Sequence, residues 1–517
     1  MKLPTDAADA VSVTAAPAPA VGSDAAEPAA PPWYLPAVVA ATAVALLNGL
    51  IGIGANSVAR DEGFSISTSL RSWSSLARLS VHTETNAWLY AVVLKVWSSL
   101  GTTPGVLRLP SVLAFVTIVP LGAGVARRLF GPRVAVITAG LLALNGSLLM
   151  FSQQIRVYTF AVAAALAATA VFVADVRRPR RSTLVGWVVL VALTAQFQLH
   201  TITVCLPHLA ALGALAPGQR QWRRRIGALA VGLVIVAPVP VAISTHEEGQ
   251  GLFSLRLGVF RDVLYTFTGR GGMPGIVAFV AGGAGVLALA WHARRAEPAG
   301  WRRFGLVLLV GWIAVPFLVM LAGSLALQPT LIGRYLLFCV PAVVMALAIL
   351  VDRLVVTRAR RPLALAAAAL LVLGAARGSL SWHVDSHTEH WNEVAAYVFD
   401  HASADDRIVL ANDSVRLFFE YERRRRTVAP AGPQPGYPVV PWGAYGTGDQ
   451  RYESPSPDEL AAAAAGPGRL WVVIGHKHVN TDVMTGRLSA LGPGWRLVER
   501  RSFPVEIDVL VYERVAP

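Results

Sequence analysis

The sequence predicts an α-helical polytopic membrane protein with a small C-terminal α/β domain outside the membrane. Three observations predict it. Hydrophobic residues make up 54% of the 517-residue chain and charged residues only 15%, against roughly 25% charged in a soluble protein. The charge is sparse in long apolar runs and gathers in short arginine clusters between them. From Trp382 onward the composition becomes that of an ordinary globular domain.

Residues 1–32 are rich in Ala and Pro and read as a disordered cytoplasmic segment. A membrane module follows over 33–381. Apolar runs able to supply spans of about 20 residues lie near 34–53, 86–101, 107–126, 134–152, 157–175, 183–199, 201–216, 226–245, 274–292, 304–326, 335–351 and 362–380. The segment 86–101 is short and carries Lys95 midway, so the expected count is about 11–13 transmembrane helices. Clusters such as Arg127/Arg128, Arg177/Arg178/Arg180/Arg181, Arg223/Arg224/Arg225, Arg302/Arg303 and Arg360/Arg361 alternate with the spans. Positive residues stay in the cytoplasm, which puts the loops 54–85 and 246–273 and the tail 382–517 on the outer side. The net charge of +14 is thereby explained by orientation, and no nucleic acid is expected as a partner. Cys205 and Cys339 both lie in apolar runs and offer no disulfide framework.

In the tail, His390–His401 and Ser414–Glu420 read as helices. Arg407–Ala411, Arg469–Ile474 and Val505–Tyr512 read as strands, and 430–458 as a Pro/Gly-rich loop.

Residues able to carry chemistry gather at the outer ends of the spans. The first outer loop holds Asp61 and Glu62, then an amphipathic stretch (Phe64, Ile66, Leu70, Trp73, Leu76, Leu79), then His82, Glu84, Asn86 and Tyr90. A carboxylate beside a membrane adds little to anchoring, whereas a general base must sit within hydrogen-bond reach of its proton. Arg108, Arg156, Tyr158, His200, Arg334 and Tyr335 mark the outer ends of other spans. Polar groups at such depth are costly and commonly line a cavity, so together they indicate a cationic site at the outer leaflet.

The order of these segments resembles a known family. Asp61-Glu62 opens the first loop, Leu89-Tyr90 closes its interfacial part, and Leu107-Arg108-Leu109-Pro110-Ser111 follows. Then come Ser152-Gln153-Gln154-Ile155-Arg156-Val157-Tyr158 and, late, Gly333-Arg334-Tyr335-Leu336. The set is similar to the GT-C glycosyltransferases of the protein O-mannosyltransferase and aminoarabinose-transferase type. It departs from them where Glu84-Thr85-Asn86-Ala87-Trp88 precedes the Leu-Tyr pair and where Gln154-Ile155-Arg156 stands in place of Glu-Ala-Arg.

The resemblance implies a multi-pass cell-membrane enzyme. Its donor would be a polyprenyl-phosphate-linked sugar and its acceptor a hydroxyl on lipid, glycan or protein. Asp61 would be the general base and Glu62 would orient the base or the acceptor. Arg156 and Arg334, with Arg108 and Tyr158, would hold the donor phosphate. His82, Glu84, Asn86, Tyr90, His200 and Tyr335 would line the substrate site. Carboxylates here suit Mg²⁺ or Mn²⁺ and imidazole suits Zn²⁺, but charge stabilisation by arginine makes an obligatory metal unnecessary. A flippase, a ligase of lipid-linked glycans or a transporter is the alternative, although no internal repeat marks a transporter.

Overall fold

The computed structural model describes residues 29–82, 88–237, 256–296, 300–326, 331–356, 361–384, 389–411, 413–425, 457–475, 484, 486, 488–489 and 494–515. Within the described residues the apolar runs form helices. Five helices among these residues are long and apolar enough to cross a membrane: Pro104–Phe130, Tyr158–Arg177, Trp301–Ala326, Gly333–Leu354 and Leu365–Val384. Pro132–Ala143 and Gly146–Ser152, bent by 52° at their junction, form a sixth if taken as one span. The break has a local cause, since Asn145 caps the second helix by accepting from the backbone N–H of Leu148 at 3.0 Å. Other runs of the expected 11–13 form shorter apolar helices, including Tyr34–Leu50, Arg181–Phe197 and Leu199–Leu212.

Lys95 explains why 86–101 reads poorly as a span. It lies on the helix Trp88–Trp97, and its ammonium donates to the carbonyls of Ser69 (3.4 Å) and Arg71. It thereby caps the C-terminal end of the helix Arg60–Ser69, where a cation complements the helix dipole.

Leu47, Val185, Val189, Val234, Leu318 and Leu373 remain exposed on the spans. Apolar side chains on that surface are what a lipid-facing helix presents.

The C-terminal part carries a four-stranded sheet: β1 (Arg407–Leu410), β2 (Leu470–Ile474), β3 (Trp495–Phe503) and β4 (Ile507–Arg514). Their order is β1-β2-β4-β3, with β1 parallel to β2 and the other pairs antiparallel. Trp391–His401 and Asp413–Arg425 are helices. Pro457–Ala464 and β3 were not expected from the sequence. Most of the expected loop 430–458 lies outside the described residues. One continuous apolar cluster runs from span residues such as Phe115 and Leu148 to Trp391, Val394 and Phe418.

Candidate active site

Three helices begin at the site: Pro104–Phe130 near Arg108, Tyr158–Arg177 just after Arg156, and the span Gly333–Leu354 at Arg334. Each carries arginine near its far end, at Arg127/Arg128, Arg177 and Arg353. A fourth element, the helix Arg60–Ser69, presents Asp61 and Glu62 in its first turn.

The two neighbouring carboxylates have opposite surroundings. Glu62 is buried and accepts four hydrogen bonds: from Arg108 Nε and Nη2 (both 2.9 Å) and from the backbone N–H groups of Ala59 and Ile155 (both 2.8 Å). A carboxylate has about four lone-pair sites, so none is left. Arg108 is equally spent. Beyond its two bonds to Glu62, Nη1 donates to the carbonyls of Ile53 (3.0 Å) and Asn56 (2.9 Å), and Nη2 to that of Ser57 (2.9 Å). All five guanidinium N–H groups are thus engaged. Both side chains are 2% exposed. Arg108 thus has no N–H left for a donor phosphate; Glu62, expected to orient the acceptor or the base, has no oxygen left for an acceptor and can serve only the second role, by fixing the helix turn that bears Asp61. The pair is a buried lock joining the first loop, the helix Pro104–Phe130 and the segment before Tyr158.

Asp61 is open, with its side chain 43% exposed. Its Oδ2 lies 2.9 Å from Arg334 Nη1 and 3.9 Å from Arg156 Nη2. Arg156 also donates through Nη1 to the Asp61 carbonyl (3.1 Å) and Ser65 Oγ (3.3 Å), and through Nη2 to the Tyr158 hydroxyl (3.4 Å). The Nε of Arg156 and the Nε of Arg334 are buried without a hydrogen-bond partner among the described residues. Burial works against the charge of Arg156, but the Tyr158 phenol and the Asp61 carboxylate hold it cationic, with its proton affinity raised. Two guanidinium groups with donors in reserve thus flank one carboxylate.

The aromatic residues surround this triad. Tyr335 follows Arg334 and stacks on His200 at 5.0 Å with 12° between the planes; the ring centroid of Tyr158 lies 6.5 Å from that of Tyr335. His200 Nδ1 has no hydrogen-bond partner among the described residues. Tyr158 is 2% exposed, and the Arg156 guanidinium lies 5.6 Å from its ring centroid. Tyr90 is buried too, within 3.5 Å of Ser111 Oγ, and Ser111 in turn donates to the Arg156 carbonyl at 3.0 Å. Its expected place among the substrate contacts is corrected: it supports the backbone that carries Arg156. The side chain of His82, and Glu84 and Asn86, lie outside the described residues.

Among the described residues no three of His, Cys, Asp and Glu come together around a common point. Glu62 has no oxygen left for a metal, and Asp61 faces two arginines.

Sequence reasoning passed over Asp262. It lies on the helix Leu257–Phe267, and its Oδ2 accepts from the backbone N–H of Gly333 at 2.8 Å, which fixes the residue before Arg334. A Cβ on Gly333 would stand 2.5 Å from that oxygen and 2.6 Å from Thr266 Oγ1, so only glycine allows the approach. The available signal was an acid directly beside Arg261 in an otherwise apolar helical stretch, Leu257–Phe267.

The family model described as dolichyl-phosphate-mannose-protein mannosyltransferase matches residues 81–243. Among solved structures, ArnT from Cupriavidus metallidurans in the apo state matches with a TM-score of 0.59 at 13% identity, over 92% of this chain and 97% of that one. The same protein bound to undecaprenyl phosphate gives 0.55 at 15% identity, with the same coverage. The mycobacterial arabinofuranosyltransferase AftD gives 0.50 at 18% identity, over 92% of this chain and 41% of that one. No curated protein sequence matches. Likeness over nearly the whole length shows that this chain shares the fold of these membrane glycosyltransferase structures, and the family match covers the segment that carries Arg108 and Arg156.

Proposed function

We propose that the chain transfers a sugar from a polyprenyl-phosphate donor to a hydroxyl acceptor at the outer face of the membrane, with Asp61 as general base. The observation that carries this reading is the open Asp61 carboxylate beside Arg334 and Arg156, two cations on separate segments with donors to spare. Support for the donor class comes from the solved relative that holds undecaprenyl phosphate. Support for the outer face comes from the three helices that begin at the site and carry arginine at the opposite end.

Arg334 and Arg156 bind the donor phosphate in a planar, charge-assisted fashion. As Arg334 turns to the phosphate, its hold on Asp61 loosens and the carboxylate becomes a better base. Asp61 then takes the proton from the acceptor hydroxyl while its oxygen attacks the anomeric carbon from the face opposite the phosphate. The bond from that carbon to the phosphate oxygen breaks, and the electron pair leaves with the lipid phosphate. The two arginines neutralise the growing negative charge. The product is a glycoside of inverted configuration, and protonated Asp61 releases its proton to water. Tyr335 and His200 offer flat and polar surfaces for the sugar.

The test supplies purified protein in nanodiscs with a panel of radiolabelled polyprenyl-phosphate sugars and membrane extract as acceptor. Transfer from one donor by the wild type, reduced at least about 100-fold in Asp61→Asn, is the expected result. Equal transfer by Asp61→Asn would sink the assignment of the base. Movement of label across the bilayer without transfer would make the chain a carrier of lipid-linked sugar instead.

A further inference from the structure

We propose that the C-terminal α/β unit is a positioning element for Asp61, acting through Phe418 on Gly63. The inference rests on the reading of Asp61 as the base. Its starting point is a contact two residues beyond the carboxylate. A Cβ placed on Gly63 would stand 2.8 Å from both Cδ1 and Cε1 of Phe418 and 3.5 Å from Leu417 Cβ. The helix Arg60–Ser69 is thus pressed against the helix Asp413–Arg425 as closely as its backbone allows, and glycine is the residue that permits it.

Phe418 is fully buried and cannot give way easily. Its ring stacks on Trp391 at 5.0 Å with 20° between planes. A Cβ on Gly475, at the end of β2, would lie 2.9 Å from Trp391 and 3.0 Å from Val415. A packed path therefore runs from the sheet through Trp391 and Phe418 to the turn of helix that bears Asp61.

Two further contacts reach the same region. The Tyr421 hydroxyl donates to the Thr102 carbonyl at 2.8 Å, immediately before the helix that carries Arg108. The backbone N–H of Asn392 donates to Ser57 Oγ at 3.2 Å, and the Ser57 carbonyl is one of the five acceptors of Arg108. The C-terminal unit thus holds the elements on both sides of the Glu62–Arg108 lock. A ten-residue helix is marginal by itself, so these contacts set where Asp61 stands. Arg156 and Arg334 are carried by other segments of the chain, and Arg156 touches this helix only through the tip of its side chain, at the Asp61 carbonyl and Ser65 Oγ. Phe418 is a positioning residue, and its loss should affect the chemical step more than the hold on the donor.

The test compares wild type, Phe418→Ala, Gly63→Ala and the double variant Gly63→Ala/Phe418→Leu in nanodiscs, using the donor that the wild type consumes. Both single variants are expected to lose about tenfold in kcat, a fraction of the roughly 100-fold that 1 Å of misplacement can cost, with KM for the donor within about twofold. The double variant, in which the smaller leucine makes room for the new methyl group, should regain most of that loss. Unchanged kcat accompanied only by a lower melting temperature overturns the proposal, as does a double variant no better than Gly63→Ala. Hydrogen exchange supplies an arm that needs no turnover. Residues 57–69 should exchange faster in Phe418→Ala while Arg181–Phe197 does not, and equal exchange over 57–69 overturns the proposal. If the wild type consumes no donor, the reading of Asp61 as a base falls, and the exchange result decides the positioning by itself.

Discussion

Asp61 and Glu62 are neighbours in sequence, yet their oxygens do different work. Glu62 spends every lone pair on Arg108, Ala59 and Ile155, so its charge is structural. Breaking such a buried pair leaves the partner uncompensated and costs about 3–5 kcal/mol. Arg108→Ala and Glu62→Ala should therefore lower the thermal midpoint of the purified protein sharply; a midpoint equal to wild type would show the lock to be dispensable. Asp61 shares Arg334 with the proposed phosphate, which makes the two anions competitors for one cation. Asp61→Asn should then bind undecaprenyl phosphate about tenfold more tightly than wild type, because an ion pair near a protein surface is worth up to ~4 kcal/mol and part of it is released. Arg334→Ala should bind it more weakly. Isothermal titration in nanodiscs measures both, and equal affinity for wild type and Asp61→Asn would remove the competition.

Among the elements, the C-terminal sheet depends on one buried acid. Asp406 accepts from the backbone N–H groups of Ser403 (2.9 Å) and Arg469 (2.7 Å) and from Trp471 Nε1 (2.9 Å), and pairs with the Arg469 guanidinium at 3.2 Å. Burial alone would raise its proton affinity, but these bonds and the arginine outweigh it and hold the carboxyl below its usual range. A depressed carboxyl stabilises the fold fully above its unfolded value of about 3.9, and that contribution is lost as pH falls through the folded value. Below about pH 4 the wild type should lose stability more steeply than Asp406→Asn, as followed by near-UV circular dichroism; parallel curves would contradict this. Elements with strong periodicity or long apolar runs were legible in the sequence, as were β1, β2 and β4. β3 was not: its residues alternate poorly because both faces stay exposed, so no buried face imposes a period of two. Lys95 looked like a defect in a span because its partners, the carbonyls of Ser69 and Arg71, are distant in sequence.

At the scale of the whole molecule, the gathering of Asp61, Arg156 and Arg334 could be suspected from residue types alone, since polar groups at span ends are expensive wherever they occur. That Arg108 would have no N–H to spare could not be read, although Arg156 and Arg334 were expected to lead. Arg108 and Arg334 look equivalent in sequence and differ only in how many carbonyls and carboxylates happen to surround them in space. The same holds for Tyr90 and Tyr335, one facing inward to Ser111 and the other beside Asp61's partner. The separations along the chain also set an order of assembly during synthesis. Glu62 meets Arg108 after 46 residues, whereas Asp61 must wait 273 residues for Arg334. At roughly 5–20 residues per second, the nascent chain closes its buried lock within seconds of emerging from the ribosome. Asp61 then stands without the Arg334 guanidinium for roughly 15–50 s. A chain cut short before Arg334 would insert with Asp61 and Arg156 in place but with only one of the two arginines proposed to grip a lipid phosphate, so on that reading biosynthesis itself holds back full activity until Arg334 has been added.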